Sequence, residues 1–204
     1  MDFERLDAIA RKAMAKRKSH FEREMGAAYF HGQRVAMGAL ALRRRLTEDA
    51  SMDDVLRAAA MFHDVGKGIE PHDETGAALA RELLRDEMTG EELAMVCRLI
   101  REHDRRRPGT EENTLFERIL QDADILDHYG SQGVWLSCTY YVYHGQQEMA
   151  QMPVFYETDW PEQIEKHRAL LNFPESQRIF DEKCRFEAAV ARRMAEEAKG
   201  NYMV

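Results

Sequence analysis

The pair His63-Asp64 is the first place in the chain where residue type and position suggest chemistry. It follows the run VLRAAAMF and precedes Val65-Gly66-Lys67-Gly68, which reads as a helix-breaking turn. His63 continues the helical face of Leu56 and Ala60, so the pair is expected at the buried C-terminal end of a helix. A buried imidazole beside a buried carboxylate is costly unless the two are paired or hold a cation. A helix end closed by a structural salt bridge is the alternative.

Residues of the same kind recur at separate places. His31 shares a helix face with Ala28, Val35, Ala39 and Leu42, small enough in part to let another helix come close. Taken alone it reads first as a core or capping histidine. Leu93, Val96, Ile100 and His103 are spaced by three, four and three, which puts His103 on an inner face at a helix end. His72 opens the preceding helix, as a ligand or as a solvated N-terminal histidine. The segment TLFERILQDADILDHYG carries Asp122, Asp124 and Asp127. On a helical wheel Asp127 falls in the apolar arc and the other two lie at its opposite edges, so the wheel does not choose among them.

Together these groups could hold metal. Mixed imidazole and carboxylate ligation suits divalent Mn, Fe, Co, Ni or Zn, with Mg at an oxygen-rich position. Such an ion lowers the pKa of a bound water and polarises a phosphoryl oxygen. Lys67, four residues beyond His63, is an ammonium that can hold a phosphate oxygen, or else a surface turn lysine. Arg34 is one helical turn from His31 and could reach a substrate phosphate. Arg105-Arg106-Arg107 read first as a solvated loop and second as a phosphate-steering patch. His128 and the run Tyr140, Tyr141 and Tyr143 could line the pocket, with the aromatics read by default as packing, and His20, His144 and His167 have no assigned role.

Helical periodicity supplies the elements that must position these residues. Helices are expected over about residues 2–22, 24–45, 51–62, 73–88, 90–103, 115–128, 131–146, 162–171 and 175–199. Ser51 to Asp54, Thr89 to Glu92 and Thr114 to Glu117 read as capping boxes, and Pro174 as a helix start. Residues 147–161, with Pro153 and Pro161, read as a loop. No segment alternates with the two-residue period of a half-buried strand. The expected fold class is all-α, without repeats.

Composition narrows the partners. A formal charge of -8 disfavours non-specific binding to nucleic-acid backbones. It leaves room for a phosphorylated small molecule, because a metal can supply the positive charge. The three cysteines are sparse and odd in number, which suits a reducing cytoplasm. There is no apolar signal segment and no apolar run of about 18 residues, so no membrane partner is expected.

The ordered set of His31, FHDVGKG with His63-Asp64, His72, His103 and DADILD resembles the HD-domain phosphohydrolase superfamily, above all its small stand-alone bacterial members. The likeness runs over about residues 25–195. The family's DAD-x-LD-x-x-G segment matches Asp122 to Gly130, and its Leu-Asn-rich C-terminal region is similar to LNFPESQRIFDEK. The resemblance implies an HD-domain helical bundle. The expected organisation is a single domain over 1–204, with a core at about 25–146 and a C-terminal helical extension at about 160–199.

The resemblance further implies that His31, His63, Asp64 and Asp124 form the primary metal site, Asp124 because the family's Ala-Asp step matches Ala123-Asp124. In two-metal members Asp64 bridges, and histidines matching His72 and His103 hold the second ion. One ion is expected here, with a second allowed. Lys67 matches the lysine of the family's HD-x-G-K stretch. The implied activity is metal-dependent hydrolysis of a phosphate ester or anhydride, of a nucleotide or related metabolite. Asp64 would orient or deprotonate the attacking water, while Lys67 and Arg34 neutralise the phosphate. The rival readings are a di-iron oxygenase of the same superfamily and a non-catalytic nucleotide-binding module. The long C-terminal helix could support a homodimer.

Overall fold

The computed structural model describes residues 1–19, 22–107, 112–145 and 151–203. Among them are ten helices and no strand, so the fold is all-α as expected. The helices are α1 (Phe3–Met14), α2 (Ala27–Leu46), α3 (Asp53–Phe62), α4 (His72–Leu84) and α5 (Gly90–Glu102). They continue with α6 (Leu115–Asp127), α7 (Ser131–Tyr143), α8 (Gln151–Thr158), α9 (Trp160–Ala169) and α10 (Pro174–Ala198). The chain divides into two compact units, Met1–Asp124 and Ile125–Val204, and the boundary falls inside α6.

In the first unit α3 is the hub, because Val55, Leu56 and all residues from Ala58 to Phe62 are buried. It packs against α1, α2 and α5, and α5 packs on α4. Leu6, Ala10 and Met14 bring the buried face of α1 to this core; burying a side chain such as Leu6 or Met14 contributes about 1.5–3 kcal/mol. Two glycines set the approaches that matter for the site. A Cβ at Gly32 would lie 2.6 Å from the Met61 carbonyl oxygen, so the absence of a side chain lets α2 touch the end of α3. A Cβ at Gly66 would lie 2.5 Å from both the Gly76 nitrogen and the His72 carbonyl oxygen. The turn after His63-Asp64 therefore rests directly on the first turns of α4. From another side, Arg17 Nη2 donates to the Val65 carbonyl at 2.8 Å.

Three local expectations change. The helix expected over 2–22 ends at Met14, where the buried face Leu6, Ala10, Met14 would next present the charged Arg17 or Lys18. Without further burial, another helical turn is not stabilised. His20 and residue 21 lie outside the described residues, as do 146–150. No capping box forms at Ser51 to Asp54: the cap residue is Met52, without a side-chain bond. Asp53 instead pairs with the Arg43 guanidinium, and its carboxylate still lies where the helix dipole favours negative charge. Finally, part of the segment expected as a loop, 147–161, is helical. Pro153 is the third residue of α8 and Pro161 the second of α9, positions where the missing N–H would have no intrahelical partner anyway. The boxes at Thr89 and Thr114 do form, with Glu92 and Glu117.

In the second unit α10 packs against α7, α8 and α9. Glu187 of α10 is buried, and its carboxylate accepts from the Gly130 N–H at 2.6 Å and the Tyr156 hydroxyl at 3.3 Å. Burial pushes this carboxyl up to about 7, against the lowering effect of those two donors and of Lys183. Tyr140 and Tyr143 are exposed rather than packed, as are Trp135 and Val142 beside them. Among the described residues no helix is long and apolar enough to cross a membrane.

Candidate metal centre

The ends of helices, more than their middles, carry the reactive side chains. His63 caps the C-terminus of α3 and His103 that of α5, while His72 is the first residue of α4. Asp64 sits in the turn that follows α3, and His31 and Asp124 project from α2 and α6. The Gly32 and Gly66 approaches bring these elements close enough for the side chains to meet.

Three imidazoles are oriented in the same sense. His63 Nδ1 donates to the Ala60 carbonyl at 2.8 Å, and His103 Nδ1 to the Ile100 carbonyl at 2.6 Å. His72 Nδ1 donates to Glu70 Oε2 at 3.3 Å. A carbonyl or carboxylate oxygen accepts only, so the proton is assigned to Nδ1 and each Nε2 keeps its lone pair. This is how metal-binding imidazoles are usually held.

Those lone pairs converge on one carboxylate. Asp64 Oδ1 lies 4.0 Å from His63 Nε2, 4.0 Å from His72 Nε2 and 3.9 Å from His103 Nε2. It is buried and accepts no hydrogen bond among the described residues. The Lys67 ammonium stands 3.5 Å from it and 3.5 Å from His72 Nε2. On the other side, His31 Nε2 is 3.0 Å from Asp124 Oδ1 and 3.2 Å from His63 Nε2. Asp124 Oδ1 is 3.7 Å from His63 Nε2. Atoms that each bind one cation at about 2.1 Å lie about 3 to 4 Å apart. The spacings therefore fit a metal, and the triads that qualify include His31, His63 and Asp64, and Asp64, His72 and His103. These two share Asp64.

Electrostatics agree with that reading. Burial pushes the His63 imidazole down to about 4, so it is neutral at neutral pH and able to ligate. Burial pushes the Asp64 carboxyl up, but the charges of His63, Lys67 and His31 outweigh it and hold the group below the ordinary carboxylate range. With His63 neutral, Lys67 is the cation that faces Asp64 near pH 7.

The structure thus brings His31, His63, Asp64, Asp124, His72, His103 and Lys67 together, while Arg34 is half-buried one turn beyond His31. Asp122 is fully buried. The basic run after α5 is not a solvated loop: Arg105 pairs with Asp73, Glu74 and Glu102, and Arg107 with Glu102 and Glu112. Arg106 enters the site itself, its Nη2 2.5 Å from Asp124 Oδ2. Its only sequence signal is its place three residues after His103.

A family model described as HD domain matches residues 29–129, the stretch that holds every one of these residues. Among solved structures, Bacillus subtilis YpgQ in complex with ADP superposes with a TM-score of 0.63 at 15% identity, covering 96% of this chain and 99% of that one. A predicted HD superfamily hydrolase from an uncultured Thermotogales bacterium gives 0.60 at 22%, covering 95% and 91%. An HD-superfamily hydrolase from Bacillus thuringiensis gives 0.62 at 18%, covering 98% and 99%. At these identities the likeness establishes a shared fold. No curated protein matches the chain in sequence.

Proposed function

We propose that this chain, which belongs to the HD-domain family, is a metal-dependent phosphohydrolase acting on a phosphate ester or anhydride, of a nucleotide or related metabolite. The observation that carries the reading is the buried Asp64 Oδ1, which accepts no hydrogen bond among the described residues and is faced at about 4 Å by three imidazole Nε2 atoms that carry lone pairs. The neighbouring Lys67 ammonium, at 3.5 Å, answers that buried charge in part, and a divalent cation among the three nitrogens would answer it more fully.

His31, His63, Asp64 and Asp124 would hold the first ion, and Asp64, His72 and His103 a second. When bound, such an ion polarises a phosphoryl oxygen and acidifies a water. Asp64 would orient or deprotonate the attacking water. The Lys67 ammonium, fixed beside Asp64 and His72, neutralises a phosphate oxygen as charge develops. Arg34 does the same from α2. The nucleotide assignment is supported by the ADP bound to YpgQ, which shares the fold. Three cysteines outside any disulfide are compatible with the reducing cytoplasm expected from the sequence.

A second reading draws on the shared carboxylate. Two triads joined by Asp64 are also the arrangement a di-iron oxygenase needs. The deciding experiment is metal analysis of the purified chain with a phosphate-release screen over nucleotides and pyrophosphate. Phosphate release restored by Mn, Co or Mg without oxygen supports the hydrolase. Activity that requires iron and consumes dioxygen overturns it in favour of the oxygenase. His63→Ala and Asp64→Ala should each abolish metal and turnover while helicity by circular dichroism persists; stoichiometric metal and full turnover in either one defeats the assignment.

A further inference from the structure

Asp124 has two differently occupied oxygens. Oδ1 faces His31 Nε2 at 3.0 Å and His63 Nε2 at 3.7 Å. Oδ2 accepts from Arg106 Nη2 at 2.5 Å. The other end of the same guanidinium is held too, with Nη1 donating to Asp104 Oδ1 at 2.6 Å. Arg106 is only 12% exposed, and its Nε is buried without an acceptor among the described residues. Burying a cation with one donor unsatisfied is unfavourable. The two carboxylates that grip its fork offset that cost.

We propose that Arg106 is a positioning residue that holds Asp124 as a single-oxygen ligand and so sets the affinity of the metal centre. To chelate through both oxygens, Asp124 would have to give up a charge-assisted bond to Arg106. With Oδ2 taken, Oδ1 alone is presented beside His31 and His63. The guanidinium also offsets the repulsion between the Asp64 and Asp124 carboxylates; its charge by itself opposes a cation nearby, so it raises affinity through the placement of Asp124. Because the loop bearing Arg106 directly follows His103, the segment that positions one triad also steadies Asp124, which stands beside His31 and His63. The inference rests on the metal-centre reading above but not on the reaction it performs.

The test uses the full-length chain stripped of metal and titrated with Mn(II) alone, with binding followed by electron paramagnetic resonance. Arg106→Ala should raise the Kd about 10-fold or more, the usual cost of removing a group that orients a metal ligand. Arg106→Lys should recover part of the loss, because it restores charge and one donor but not the fork. The visible spectrum of the Co(II)-loaded Arg106→Ala variant should differ from that of the parent, since Asp124 is then free to change its ligation. Equal or tighter binding with an identical Co(II) spectrum overturns the proposal, for Arg106 would then be only a placeholder for the ion. Should Arg106→Ala fail to fold, Asp104→Asn releases the other end of the fork and should weaken binding in the same direction, by less. No change in that variant overturns the proposal as well. A chain that binds metal in an Arg106-dependent way but releases no phosphate leaves the proposal standing and removes the hydrolase reading. A parent chain that binds neither Mn nor Co removes both.

Discussion

His63 and His103 end α3 and α5 in the same way: each gives its Nδ1 proton to the carbonyl three residues earlier and turns Nε2 toward Asp64. Their ring centroids are 5.1 Å apart. The accepting carbonyls, of Ala60 and Ile100, belong to the last turn of a helix, where intrahelical partners run out. One hydrogen bond therefore does two things. It satisfies a terminal carbonyl and selects the tautomer that leaves a lone pair for a cation.

The choice among the three aspartates of α6 can be tested directly. Asp124→Asn should lose bound metal, since Asp124 Oδ1 is the carboxylate oxygen beside His31. Asp122→Asn should keep metal and lose about 1–3 kcal/mol of stability, because the substitution turns an acceptor oxygen of that fully buried side chain into a donor. Metal content by atomic absorption and urea midpoints separate the two. Metal retained in Asp124→Asn and lost in Asp127→Asn would move the ligand one helical turn along.

Metal stoichiometry tests the second triad. At saturating Mn(II) the parent chain should bind two ions and the double variant His72→Ala/His103→Ala one, with the fold retained. Equal stoichiometry in both would leave a mononuclear centre.

Gly66→Ala should both destabilise and disarm the second triad. The added methyl meets backbone atoms of His72 and Gly76 at 2.5 Å, which cannot swing aside as a side chain can. A cost of about 1–3 kcal/mol is expected from overpacking of this kind. Binding at the site that includes His72 should weaken more than at the other. Gly90→Ala, with nothing within 4 Å of its new Cβ, is the control and should leave both quantities unchanged. Equal effects of the two substitutions would show that the Gly66 approach is not tight.

Glu187 predicts a pH dependence with a definite sign. Its folded-state pKa, about 7, is above the ordinary 4.5. Between those values the folded chain keeps the proton and the unfolded chain does not. Its contribution is therefore fully present below about pH 4.5 and is lost as pH rises through 7. The loss is at most about 3 kcal/mol, since one pKa unit corresponds to 1.36 kcal/mol. Glu187→Gln, neutral throughout, should flatten this decline, so that unfolding midpoints of variant and parent diverge at pH 8 more than at pH 5. Parallel profiles would show that Glu187 titrates normally.

The sequence was most informative where the signal is local or chemical. The Thr89 and Thr114 caps need only residues three positions apart, and both form. The ligand candidates each had a plain alternative when taken alone, and it was their ordered set, with the family resemblance it carries, that singled them out. Arg106 could not be singled out from Arg105 and Arg107, because what distinguishes it is Asp124, brought near by α6 and 18 residues away in the chain. Nor do Gly32 and Gly66 announce their role, since a glycine reads as a breaker until the backbone that crosses it is known. Pro153 and Pro161 misled for a related reason: proline marks a boundary, and a boundary is as often a beginning as an end.

Asp64 belongs to both triads, and this gives occupancy a thermodynamic shape. Two ions drawing on one carboxylate would not fill their places independently. The first to arrive would take the larger share of its negative charge, and the second would meet both a weakened ligand and a neighbouring cation. By linkage each ion would lower the affinity of the other by the same factor. Such a pair would fill in a tight step followed by a loose one.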